Sequence, residues 1–159
     1  MRVSRLATVL VIAGAACVTR PGTLDQSLAP GAQWTATIAQ ENGGTLHGTI
    51  TFVRTEPVEQ ARAIFALAGG TPNAVIPWHV HFGVCGNDRM IVGSPANYPP
   101  LVLGNNGAIN AIAQLPVQLA DAQAYVIHLH ASPSDIHSVI ACAPLVRGEP
   151  AAAVAARAP

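Results

Sequence analysis

Glycine and proline recur so often in this chain that short strands joined by turns are the expected fold. Fourteen glycines and thirteen prolines are spread over 159 residues. Proline removes a backbone donor and glycine weakens a helix interior, so long helices are disfavoured. Between the breaks, apolar residues recur with period two, the spacing of a half-buried strand. Residues 34–38 alternate, and Asn42-Gly43-Gly44 reads as a turn. Residues 45–53 alternate again, with Leu46, Gly48, Ile50 and Phe52 on one parity. Residues 61–68 would suit a helix by composition, but their neighbours favour a strand. Further strands are expected at 75–84 (interrupted by Pro77), 90–92, 101–103, 108–115, 123–131 and 138–145. Ser94 to Pro100 is a proline-rich loop, and Asn105-Asn106-Gly107 is a strong turn. The expected class is all-β, a sandwich or barrel of about seven or eight strands.

Half of the residues are apolar and 10% are charged, which excludes a disordered chain. Eight arginines balance eight acids and there is no lysine. No basic patch is visible, so nucleic acid is not an expected partner. No glycine-rich loop leads into a helix, so nucleotide binding has no support.

The ends read as processing signal and tail. Arg2 and Arg5 precede an apolar run from Leu6 to Ala16, a positive region followed by a short hydrophobic one. The run is too short for a finished membrane-spanning helix. Gly14-Ala15-Ala16-Cys17 suggests a lipoprotein-type signal over residues 1–16, with Cys17 lipidated. Ordinary cleavage near Ala13-Gly14-Ala15 is the other reading. The expected location is the periplasm or cell envelope, with membrane contact only through the lipid anchor. Residues 17–31 read as a tether, 32–148 as the folded domain and 149–159 as a flexible tail. Without Arg2 and Arg5, six arginines face eight acids, a net charge of −2.

With Cys17 lipidated or removed, Cys85 and Cys142 remain as a pair in an oxidising compartment. A disulfide between them is expected, although two separate buried thiols, or a Cys85 thiolate on a metal, would also fit.

Five of the six histidines fall in two places. His79-Val80-His81 and His128-Leu129-His130 each lie on an expected strand, where period-two geometry points both imidazoles to one face. If those strands are neighbours, three or four imidazoles converge on a rigid scaffold. Neutral imidazole suits copper and zinc, and the scarcity of carboxylates disfavours calcium or magnesium. His79 and His81 are the best candidate ligands, followed by His128 and His130; His137 could swing over the same site from the loop before it. His47 reads as a surface residue or a supporting neighbour. Trp78 and Phe82 have the opposite parity to the first histidine pair and are expected in the core. Asp88, Arg89 and Asp135 are the nearest charges along the chain; Arg89 could attract an anion or be a solvated turn residue, and Asp135 could accept a bond from a ligand histidine or cap its loop.

Pro77-Trp78-His79-Val80-His81-Phe82-Gly83, then Cys85, then Val139-Ile140-Ala141-Cys142, resembles the copper/zinc superoxide dismutase family over roughly residues 45–146. The resemblance implies a Greek-key β-sandwich. His79 and His81 match the paired copper ligands, His128 the later copper ligand, and Cys85 and Cys142 the family's disulfide. It implies copper as cofactor, superoxide or a copper-delivery protein as partner, and dismutation by alternating reduction and reoxidation of copper. The chain also departs from the family. No histidine occurs between His81 and His128, so the zinc site and its bridging ligand are absent. Val139 stands where the family places an anion-guiding arginine, and Ala143 follows the second cysteine in place of glycine. His130 or His137 would then complete a copper-only site, with Arg89 a substitute guide. The alternative is a non-catalytic envelope domain on the same sandwich, holding zinc or serving a structural or interaction role.

Overall fold

The computed structural model describes residues 31–57 and 59–148. The expected signal, the expected lipidation site Cys17, nearly all of the expected tether and the expected tail lie outside the described residues. Among the described residues eleven strands are formed, all paired antiparallel: β1 (Gln33–Ala39), β2 (His47–Arg54), β3 (Ala61–Ala68), β4 (Val75–Ile76), β5 (Trp78–Val84), β6 (Asn87–Ile91), β7 (Leu101–Val102), β8 (Ile109–Leu115), β9 (Tyr125–Ser132), β10 (Asp135–Pro144) and β11 (Val146–Gly148). A single 3-10 turn spans Pro95–Asn97, capped by the Ser94 side chain, and no α-helix occurs among the described residues. The ambiguous segment at 61–68 is a strand, with Ala61, Ala63, Phe65 and Leu67 buried on one parity.

The strands form a five-stranded sheet in the order β11-β1-β2-β3-β8 and a four-stranded sheet in the order β10-β9-β5-β6. The short β4 and β7 pair separately. Eleven segments exceed the expected seven or eight, and two of the additional strands have identifiable reasons. Proline lacks the N–H that a ladder needs. Pro77 therefore ends β4, which pairs with β7, before β5 begins in another sheet. At the far end the chain leaves the four-stranded sheet after Pro144, and β11 joins β1 in the five-stranded one.

The two sheets meet through aromatic side chains. Trp78 of β5 is fully buried, with Phe65 of β3 edge-on at 4.8 Å and Phe52 of β2 at 6.1 Å between ring centroids. Tyr98 closes the third side at 5.0 Å. The Trp78 indole N–H donates to the Pro99 carbonyl (2.7 Å), so its one polar atom is satisfied in the core. At one side of the core the buried Arg54 guanidinium lies over the Trp34 ring, donates to the Leu119 carbonyl, and reaches Asp121 at 2.8 Å. Arg147 holds the other Asp121 oxygen at 3.0 Å, which fastens the loop between β8 and β9 to the five-stranded sheet.

Candidate metal centre

Parity along β5 decides which side chains can reach a ligand. Trp78 and Val80 point into the core and are fully buried, so His79 and His81 face outward. β9 is the neighbour of β5, with His79 opposite His128 and Trp78 opposite Leu129. The His130 N–H donates to the Pro77 carbonyl at 2.9 Å and extends the register by one more pair. Both His-x-His segments therefore lie side by side on the outer face of the four-stranded sheet; the spacing predicts the shared face of each pair, and the β5–β9 pairing supplies the adjacency.

The four rings do not form one symmetric cage; they fall into two diagonal pairs. His79 Nδ1 and His130 Nε2 are 3.2 Å apart. His81 and His128 lie ring against ring, with centroids 4.5 Å apart and planes tilted by 31°. Centroids along each strand are wider apart, at 6.2 Å for His79 and His81 and 6.1 Å for His128 and His130. Donor atoms accordingly converge as two overlapping triplets, His79–His81–His130 and His81–Asp88–His128, with all atoms of each triplet within 4.8 Å of one another. Nitrogens bound to a tetrahedral zinc at ~2.1 Å lie roughly 3.4 Å apart. The His79–His130 pair is close to that spacing at 3.2 Å, and the other donors of each triplet lie within 4.8 Å of one another. Either group has the donors to hold a metal ion.

Asp88 is the member that the sequence marks only as a nearby charge, with no role. It enters through the β5–β6 hairpin, where Gly83 pairs with Asp88 just past a register shift. Its carboxylate lies 3.5 Å from His81 Nδ1 and 3.6 Å from His128 Nε2. Gly83 makes this approach possible: its φ is +113°, and a Cβ there would sit 2.7 Å from the Asn87 carbonyl oxygen. The Cys85–Cys142 disulfide forms as expected and joins the hairpin to β10 at the residue that pairs with His128. The thiolate-ligand reading of Cys85 is thereby removed.

The surroundings of His79, His128 and His130 favour the neutral form that a metal requires. Burial, then the neighbouring His79, His128 and His81, push His130 down to about 4, against a small opposing pull from the Ile136 backbone. His79 is lowered by burial and by His81 and His128. His128 is lowered by burial and by His81, with Asp88 and Glu41 opposing. The His81 Nδ1–H donates to the Arg89 carbonyl (2.9 Å), which fixes the tautomer and leaves Nε2 with its lone pair, buried and without a hydrogen-bond partner.

The remaining candidates lie apart from these groups. His137 is exposed on β10 and belongs to neither triplet. His47 is exposed on β2, in the other sheet, and donates through Nδ1 to the Thr45 carbonyl (2.8 Å). Asp135 accepts from the Ser138 N–H, a capping role. Arg89 offers its backbone carbonyl to His81 and also lines a separate cleft with Phe82, Asn87 and Met90. Beside His79 opens an apolar cleft of about 320 Å³, walled by Ile91, Tyr98, Ile136 and four prolines. Comparison with known proteins finds no matching family model and no matching curated protein.

Proposed function

We propose that this is an exported copper-holding β-sandwich of the superoxide dismutase type, anchored through Cys17 at the periplasmic or outer envelope. The observation that carries the proposal is the convergence of His79, His81, His128 and His130 from two paired strands. Imidazole donors suit copper in either oxidation state. The strand orders of the two sheets support a Greek-key connection of that type. Bound copper would supply one-electron redox chemistry. The chain's own residues hold it, keep it on a rigid face and restrict access to it. A copper-only superoxide dismutase is the activity to test at this site, its reaction turning two superoxide ions and two protons into oxygen and hydrogen peroxide.

The second reading is a non-catalytic envelope domain with zinc in the site. The cleft beside His79 favours it, because none of the described residues lining that approach is cationic to draw in an anion. One experiment separates the two: copper reconstitution, removal of free copper, then copper counting and superoxide dismutation on the same sample. Turnover well above a His79→Ala control supports the enzyme. One tightly bound copper without turnover supports a copper-holding protein. Failure to retain copper would refute the proposal.

A further inference from the structure

We infer that Asp88 turns the same face into a two-position metal site, with a carboxylate-containing position, His81–Asp88–His128, that selects divalent ions over soft monovalent ones. The inference rests on the metal-binding reading and deepens it. The two triplets differ in chemistry. His79–His81–His130 offers three neutral nitrogens, whereas His81–Asp88–His128 offers two nitrogens and an anionic oxygen. A soft monovalent ion gains little from a carboxylate. A dication gains both charge and a harder donor, and two imidazoles with one carboxylate form a familiar zinc donor set.

The positions exclude one another. His81 belongs to both triplets. A neutral imidazole carries one N–H and one lone pair, so His81 can ligate one ion at a time; its Nε2 is buried without a hydrogen-bond partner, and its Nδ1, 3.5 Å from the Asp88 carboxylate, would give up its bond to the Arg89 carbonyl to ligate there. The face therefore binds one ion at a time and sorts ions by charge and softness between two places. Asp88 is held for this role from two directions: the Gly83 bulge brings its carboxylate over β5 and β9, and the disulfide ties the hairpin to the strand beside His128.

The test uses the disulfide-bonded full chain and two probes, Zn²⁺ and Ag⁺, the latter a redox-inert soft monovalent ion. Each is titrated in competition with a chelator, and the bound ion is counted. Asp88→Asn should weaken Zn²⁺ by about tenfold or more while leaving Ag⁺ within about twofold. Asp88→Glu should restore most of the Zn²⁺ affinity, which a merely structural role of Asp88 would not predict. His130→Asn should do the reverse, weakening Ag⁺ and sparing Zn²⁺. Stoichiometry should stay at one ion per chain, and added Zn²⁺ should displace Ag⁺. Zn²⁺ affinity unchanged in Asp88→Asn, equal weakening of both ions, or two ions bound together would overturn the inference while leaving metal binding intact. If the native chain binds neither ion better than a variant with all four histidines changed to Asn, the metal reading itself falls.

Discussion

Acidification should destabilise the metal-free protein through the histidine face, and His130 sets the size of the effect. Its ordinary value is 6.5, and burial beside three other imidazoles lowers it to about 4 in the folded state. Below pH 6.5 the unfolded chain takes up a proton that the folded chain refuses until near pH 4. The unfolded state therefore binds more protons across this window, and stability falls as pH falls. A gap of about 2.5 pH units at ~1.4 kcal/mol each is at most about 3.5 kcal/mol, of which about 3 kcal/mol is lost by pH 4, where the folded group is half protonated. His79 and His128 are lowered too and act in the same direction. Urea unfolding at fixed pH values from 4 to 8, with chelator present and the disulfide intact, reads this directly. His130→Asn should flatten the profile by roughly the same 3 kcal/mol. A native profile that is level from pH 6.5 to 4, or a slope unchanged in His130→Asn, would refute the reasoning.

Other perturbations test the scaffold. Trp78→Ala removes the side chain on which Phe52, Phe65 and Tyr98 converge and should cost about 3–5 kcal/mol in chemical unfolding. Replacing Cys85 and Cys142 together by Ser opens a loop with a sequence separation of 57 and should cost about 4 kcal/mol, read by the shift in unfolding midpoint. The same double variant should lose Zn²⁺ affinity more than Ag⁺ affinity, since the hairpin it frees carries Asp88. Gly83→Ala puts a Cβ against the Asn87 carbonyl at a φ that L-residues avoid. It should weaken Zn²⁺ binding even in protein that still folds, and unchanged binding would show that Asp88 does not depend on the bulge.

The legible parts of the molecule were those governed by local periodicity. Outward-facing His79 and His81 follow from strand parity, as does the inward-facing Trp78, because successive side chains of a strand alternate faces. The pairing of Cys85 with Cys142 followed from counting. The convergence of β5 with β9 was a condition, not a deduction, since no local pattern states which strands become neighbours. The division of the four histidines into two diagonal pairs depends on register and side-chain packing, which the alternation does not encode. Asp88 was hidden for the same reason: the sequence marks it only as a nearby charge, and the register shift between His81 and Gly83, where Gly83 pairs with Asp88, is not written in the alternation. His137 illustrates the opposite case. Nearness in sequence to a candidate site suggested a role, but β10 begins at Asp135 and leaves His137 exposed on that strand.

The most direct test of the account is metal retention by the histidine face. The native chain and a variant carrying His79→Asn, His81→Asn, His128→Asn and His130→Asn would be loaded with Cu²⁺, passed over a chelating resin and assayed for copper. Electron paramagnetic resonance would be recorded on the same samples. The account predicts one copper per native chain with hyperfine structure from nitrogen ligands, and none in the variant. Equal copper in both proteins, or a native chain stripped bare by the resin, would contradict it.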